Sequence, residues 1–257
     1  FATRVKIENN ISTRALKTIK RDQNEAITLL KQKFFGGSKK QGLSIRLPLS
    51  SCEPTKLCSN LCYAHDVLDA SPAAVIRGSL NGVIAKLFED EPDKYVELLA
   101  KYWDPWIVRA IKTAEQEQAI SNFQRKPRIR FGHVGDGAAY PKFMNFLASR
   151  FHIRANGRIQ SVIYTRHRLA KQLDTNLFVV NFTLDPVSEE RIRFAPKRSR
   201  IVYSAFGGQT SKIAEINFLE HHRHEHFKQI GLGNVCPATE PSEVVRSCDA
   251  LKCDKCF

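Results

Sequence analysis

The sequence predicts an α/β protein in which a mostly parallel sheet closes into a partial, TIM-like barrel. Strands and helices alternate along the second half of the chain, which implies right-handed crossovers between parallel strands. Hydrophobic residues make up 42% and charged residues 26% of the 257 residues, values typical of a globular domain with a core. The strand-like runs are 128–134, 159–165, 177–183 and 200–206, and helical segments cover 141–151 and 167–173.

The first half of the chain is predicted to be helical around one short strand. Apolar residues recur at helical spacing through 12–34, and the glycines and lysines of 36–42 indicate a turn or linker. Leu43, Ile45 and Leu47 then alternate with polar residues and predict a strand that ends at Pro48.

Two long helices follow this strand, over about 71–88 and 92–119, and we expect Trp103 and Trp106 of the second to pack in the core. The chain is therefore divided into a basic helical extension (1–42), a partial-barrel domain (43–235) and a cysteine-rich tail (236–257).

Positive charge dominates the composition. The formal net charge is +14, and residues 1–50 hold 11 Lys and Arg against 3 Asp and Glu. Excess cationic charge attracts polyanions by counterion release, so we expect a nucleic acid or nucleotide partner. The sequence has no apolar run long enough to span a bilayer and its first residues lack the apolar region of a secretory signal, so we expect a cytoplasmic protein without a membrane partner.

Three cysteines follow the first predicted strand in a C-x5-C-x3-C loop formed by Cys52, Cys58 and Cys62. Thiols clustered in a loop can converge on one centre. On a [4Fe–4S] cluster, three protein ligands leave one iron open, and on zinc they leave a water position. The spacing favours the iron–sulfur cluster, with zinc as the alternative metal.

Four further cysteines lie in the last 22 residues, at Cys236, Cys248, Cys253 and Cys256. Four thiolates can close a complete structural site, either zinc or a second iron–sulfur cluster. Alternatively, one of them completes the first site and joins the two ends of the chain. The sequence leaves this partition, and therefore the number of clusters, open.

A glycine-rich turn, Gly135-Asp136-Gly137, follows the strand at 128–134. Glycines let a backbone approach a ligand closely, and the Asp136 carboxylate is a potential acceptor for an amine or a ribose hydroxyl. Tyr164, Thr165 and Arg166 end the next strand, and Asn181, Asp185 and Gly207-Gly208 come at the ends of later strands. Ligands gather at the carboxyl ends of parallel strands, so the cysteine loop, this turn and these residues are predicted to face one mouth.

The cysteine loop, the Gly135-Asp136 turn, the strand ending in Tyr164-Thr165 and the cysteine-rich tail together resemble the phage "gene product 88" domain family over residues 43–257. This resemblance implies a mobile-element origin more than an activity. The loop is also similar, more distantly, to that of radical S-adenosylmethionine enzymes. Their cysteine loop is shorter at both gaps, C-x3-C-x2-C, and their turn carries glutamate where this chain has Asp136.

The likeness to radical enzymes implies that the three-cysteine cluster binds S-adenosylmethionine, with catalytic Asp136 holding its amine. We expect Arg166 and Arg168 then to attract a phosphate-bearing substrate. Our first hypothesis is therefore an iron–sulfur enzyme that acts on or at nucleic acid. The alternative is a non-catalytic nucleic-acid-binding protein whose iron–sulfur or zinc site only stabilises the fold. The alternative predicts that adding S-adenosylmethionine does not change the protein or its binding of nucleic acid.

Overall fold

The computed structural model describes residues 1–31, 34–38, 42–60, 62, 71–120, 126–206 and 210–220. The predicted cysteine-rich tail, residues 236–257, lies outside these ranges. Within them, no helix combines the length and apolar character needed to cross a membrane.

Seven strands form one sheet whose spatial order follows the chain order. The first pair is antiparallel, and every later pair is parallel. This confirms a mixed α/β fold with a mostly parallel sheet; over the described residues the sheet is open, with its first and last strands as edges. The strands are β1 (Phe35–Ser38), β2 (Gly42–Ile45), β3 (Arg128–Phe131), β4 (Gln160–Thr165), β5 (Phe178–Leu184), β6 (Arg200–Phe206) and β7 (Ile216–Glu220).

The N-terminal region forms two helices where the sequence predicted one helix over 12–34. The chain is extended at Asp22, with φ −140° and ψ 112°, and the Asp22 side chain accepts a hydrogen bond from the Asn24 amide at 2.8 Å. Asp22 therefore ends one helix and caps the next. The helices are α1 (Ala2–Arg21), α2 (Gln23–Leu30), α3 (Lys56–Asn60), α4 (Pro72–Asp90), α5 (Pro92–Ile120) and α6 (Pro141–Arg154).

Two further local predictions were wrong, and one strand was missed. The segment predicted as a linker contains most of β1, which pairs with β2 from Phe35 opposite Ile45. The predicted helix at 167–173 is a 3-10 turn, Arg168–Gln172. Strand β7 was not predicted at all. The structure supplies the reason for β1: the neighbouring strand imposes an extended conformation that glycine-rich segments do not favour alone.

The core lies between the helices and one face of the sheet. Trp103 on α5 is buried, stacks on Phe34 with 3.5 Å between ring centroids, and donates from Nε1 to the Leu30 carbonyl at 2.9 Å. Phe131 and Ile163 come from the sheet side of the same cluster. The core position predicted for Trp103 is confirmed, and Trp106 packs against the same cluster while remaining partly exposed.

Candidate functional site

Polar side chains from four strand ends meet at the carboxyl edge of the sheet. They come from the loop after β2, the turn after β3, the end of β4 and the residue after β5. We call them the carboxyl-edge ring, because hydrogen bonds link them from Ser51 round to Thr55 and the backbone between these two residues closes the cycle. Its members are Ser51, Thr55, Asp136, Thr165, Arg166 and Asp185.

Asp136 joins the first three strand ends. Its amide donates to Ser51 Oγ at 2.8 Å, which ties the turn after β3 to the loop after β2. Its Oδ2 accepts from Thr165 Oγ1 at 2.9 Å and from the Arg166 amide at 3.2 Å, both at the end of β4. Its Oδ1 accepts from the Ala138 amide at 3.0 Å. Asp136 is thus a buried connection between three loops.

Asp185 completes the cycle on the other side. Its Oδ2 accepts from Arg166 Nη1 at 2.6 Å and from Thr55 Oγ1 at 2.5 Å. Arg166 belongs to the end of β4 and Thr55 to the cysteine loop, so the chain of hydrogen bonds returns to the loop where it began. Asp185 has no exposed surface, and Arg166 is largely buried.

The three described cysteines lie in this loop, each half-buried. Cys52 and Cys62 both pack against a small apolar cluster formed by Leu49 and Val134, which is separate from the main core. Cys58 lies in α3, and its amide donates to Thr55 Oγ1 at 3.1 Å. The backbone that carries the cysteines is therefore joined to the carboxyl-edge ring.

A second contact anchors the loop at Glu53, the residue after Cys52. The Glu53 carboxylate accepts from the Arg168 amide and from Arg168 Nε, each at 3.0 Å. Arg191 Nη1 donates to the Glu53 carbonyl at 2.7 Å. The cysteine loop is thus held at Glu53 and at Thr55, on either side of Pro54, to segments more than 100 residues away in sequence.

Burial and neighbouring acids set the electrostatics. Burial raises the pKa of the Cys52 thiol well above its usual range; negative charge at Asp136, Cys58 and Cys62 raises it further, and Arg166 lowers it. These charges act on one another only because the groups are close. Burial also raises the pKa of Asp136, more than its hydrogen bonds lower it.

The pKa of Asp185 is shifted in the opposite direction. Burial raises it, but the hydrogen bonds from Thr55 and Ser188 and the charge of Arg166 lower it by more, so the net shift is downward. Of the two buried carboxyl groups in the ring, Asp185 is therefore the one held ionised by a cation.

The structure brings most of the predicted site residues together. Cys52, Cys58, Cys62, Asp136 and Arg166 share the carboxyl edge. Gly135 and Gly137 flank Asp136, and Gly137 is buried at the start of a 3-10 turn. Cys236, Cys248, Cys253 and Cys256 lie outside the described residues.

Tyr164 lies elsewhere. Successive side chains of a strand point to opposite faces, and Thr165 faces the ring. The Tyr164 ring is instead 4.5 Å from the Arg130 guanidinium and 6.4 Å from the Phe218 ring, on the sheet face away from the helices. Tyr164 and Asp136 are therefore not neighbours, contrary to the prediction.

Thr55 and Ser51 were not predicted from the sequence. For Thr55 a local signal exists, because threonine is common at the N-cap position, immediately before a helix. For Ser51 none exists, because its partner Asp136 is 85 positions away.

In the part of the chain that is described, no three His, Cys, Asp or Glu side chains are grouped so that they could hold a metal ion. Comparison of the chain with protein-family models, curated proteins and solved structures gives no match in any of the three. The resemblance to the phage domain family and the likeness to radical enzymes both stay predictions.

Proposed function

We propose that this chain is an iron–sulfur protein in which Cys52, Cys58 and Cys62 hold a [4Fe–4S] cluster at the carboxyl edge of a partial barrel, and that it acts on or at nucleic acid. One observation carries the proposal: three cysteines lie in one anchored loop that also contributes to a buried polar ring. Cysteines that bind a metal cluster suit the reducing cytoplasm, where we place the protein.

The chemistry of the three thiols suits a cluster better than a single ion. A structural zinc ion is usually held by four protein ligands, and this loop supplies three cysteines. In a [4Fe–4S] cluster each thiolate binds a different iron, so the ligands surround the cluster. When bound, the cluster would supply one-electron chemistry at its open iron.

The residues around the loop would serve this site in three ways. The contacts of Glu53 and Thr55 hold the loop in place before any cluster binds. Arg166 brings a positive charge close to Cys52, which offsets part of the rise that burial and the neighbouring acids cause in the pKa of this thiol. Among the described residues Asp136 Oδ1 accepts from Ala138 alone, so acceptor capacity remains for the amine of S-adenosylmethionine, our proposed ligand of the open iron.

The first experiment is anaerobic purification, followed by iron and sulfide analysis and a visible spectrum. We expect a brown protein with near-equal iron and sulfide. Cys58→Ala should lower both contents, whereas Ser59→Ala, a change in the adjacent residue of α3, should not. A colourless protein that contains zinc would show that the proposal is wrong.

The second experiment separates an enzyme from a structural iron–sulfur protein. S-adenosylmethionine is added to the reduced protein, and the electron paramagnetic resonance spectrum is recorded. Binding at an open iron should change the spectrum. An unchanged spectrum would favour the non-catalytic nucleic-acid-binding protein.

The nucleic-acid part of the proposal is supported by charge. The formal net charge of the chain is +14, and excess cationic charge attracts polyanions by counterion release. The Arg168 side chain is 69% exposed and lies beside the cysteine loop, where it pairs with Glu53.

We test this part of the proposal with a labelled single-stranded oligonucleotide over a range of salt concentrations. Arg168→Gln, at an exposed arginine, should weaken binding and lower the slope of log Kd against log salt by about 1. The control is Arg158→Gln, which changes an exposed arginine paired with Glu115 and should leave the slope unchanged. Equal effects of the two variants would contradict this assignment.

A further inference from the structure

Asp185 accepts hydrogen bonds at both oxygens of its buried carboxylate, from its own loop and from two other segments. Besides Thr55 and Arg166, it accepts at Oδ1 from Ser188 Oγ at 2.7 Å and from the Val187 amide at 3.2 Å. The Ser188 and Val187 contacts stay within its own loop. The contacts to Thr55 and Arg166 reach other segments, and both lead to cysteines.

The first path leads to Cys58. Thr55 immediately precedes α3, donates its hydroxyl hydrogen to Asp185 and accepts from the Cys58 amide at 3.1 Å. A threonine oxygen that accepts from the third amide of a helix is an N-cap. The Asp185 contact fixes the Thr55 rotamer, and this cap in turn fixes the helical turn on which Cys58 lies.

The second path leads to Cys52. Arg166 donates from Nη1 to Asp185 at 2.6 Å, and its positive charge acts on the Cys52 thiol. An arginine side chain has many rotamers, and the buried carboxylate selects one of them. Asp185 therefore fixes both the backbone at one cysteine and the charge beside another.

We infer that Asp185 is a positioning residue for the three-cysteine site, acting on Cys58 through Thr55 and on Cys52 through Arg166. This inference rests on the proposed function, because the site matters only if it holds a cluster. The competing explanation is that Asp185 only stabilises the loop after β5. Ser188 distinguishes the two explanations, because its hydrogen bond to Asp185 leads to no cysteine.

The first test uses the metal-free protein and measures hydrogen exchange at the start of α3. Thr55→Val removes the cap and should speed exchange of the Cys58 amide about fivefold, the factor expected for loss of an N-cap. Thr55→Ser keeps the hydroxyl and should restore the slow rate. Ser188→Ala should leave the rate unchanged.

The second test measures the midpoint potential of the iron-loaded protein. Thr55→Val and Asp185→Asn should both shift the potential, because ligand geometry and nearby charge set it. Thr55→Ser and Ser188→Ala should not. Asp185→Asn also removes the partner of a largely buried cation and lowers overall stability. The comparison of Thr55→Val with Thr55→Ser therefore decides the test.

The outcomes separate this inference from the proposed function. If Ser188→Ala changes the exchange rate and the midpoint potential as much as Thr55→Val does, the positioning role is refuted. Asp185 would then only stabilise its own loop. A protein that loads iron but shows unchanged exchange and potential in Thr55→Val also overturns it, while the proposed function stands. Failure to load iron, with the expected exchange pattern, overturns the proposed function and leaves the Asp185–Thr55–Cys58 path in place.

Discussion

The turn that carries Asp136 approaches the loop after β2 so closely that only glycine fits at Gly135. Its φ is +74°, and a Cβ atom there would lie 2.5 Å from the Pro48 carbonyl oxygen and 2.8 Å from two atoms of Leu47. Gly135→Ala therefore carries two penalties. The left-handed conformation costs about 1–2 kcal/mol, and the collision with rigid backbone costs about 1–3 kcal/mol more.

Gly157 provides a matched control. Its φ is +69°, but the nearest atom to an added Cβ is His152 Cε1 at 3.5 Å, an ordinary contact. Gly157→Ala should therefore carry only the conformational penalty. The difference between the two variants isolates the collision, which we place at about 1–3 kcal/mol of unfolding free energy.

The assay is urea denaturation of the metal-free, reduced protein, followed by circular dichroism and by tryptophan fluorescence. Coincident transitions by the two probes justify a two-state free energy. Gly135→Ala should lose roughly 2–5 kcal/mol in total and Gly157→Ala about 1–2 kcal/mol. Equal losses would refute the close approach of these two loops, and with it the geometry of the carboxyl-edge ring.

Three further predictions concern other parts of the fold. Burial and two neighbouring arginines lower the pKa of His133 from 6.5 to about 4. Between these two pH values the imidazole is therefore protonated in the unfolded chain but neutral in the folded chain. The free energy of unfolding should therefore fall by about 3 kcal/mol as pH falls through this window, and His133→Gln should flatten the pH profile measured by urea titration. Asp104 pairs with two arginines of α6, so Asp104→Asn should lower the free energy of unfolding by about 1–3 kcal/mol in the same assay. The control Asp90→Asn, at an exposed ion pair, should lower it by less than about 0.5 kcal/mol. Equal losses would contradict the pairing of Asp104. Trp103→Phe leaves the buried Leu30 carbonyl without its donor and should cost about 1–3 kcal/mol by thermal unfolding, and an unchanged midpoint would contradict that hydrogen bond.

Much of the fold could be predicted because its strands are apolar and the connections between them are long. β4 and β5 are short runs rich in valine, isoleucine and phenylalanine, a local signal for buried parallel strands. Parallel strands present their carboxyl ends at one edge, so the meeting of the cysteine loop with Asp136 and Arg166 followed from topology alone.

The rest depends on contacts that have no local signal. Thr55 and Asp185 are 130 positions apart, and nothing around either residue specifies the other. Tyr164 shows the same limit within a single strand. The sequence places it one residue from Thr165, but the alternation of side chains decides which of the two faces the ring, and that depends on which face the helices cover.

The carboxyl-edge ring also explains how an open sheet can hold a site rigidly. A closed barrel fixes its strand ends because every strand has two neighbours, whereas the edge strands of an open sheet have one each. Here the Asp136 amide donates to Ser51, Thr165 and Arg166 donate to Asp136, and Arg166 and Thr55 both donate to Asp185. These hydrogen bonds, together with the backbone between Ser51 and Thr55, connect four strand ends in a cycle. A cycle stays connected when one link is cut, so single substitutions should loosen the cysteine loop locally before they unfold the sheet. The loop that carries the three thiols contributes two members of this cycle, which makes its position a property of the whole carboxyl edge.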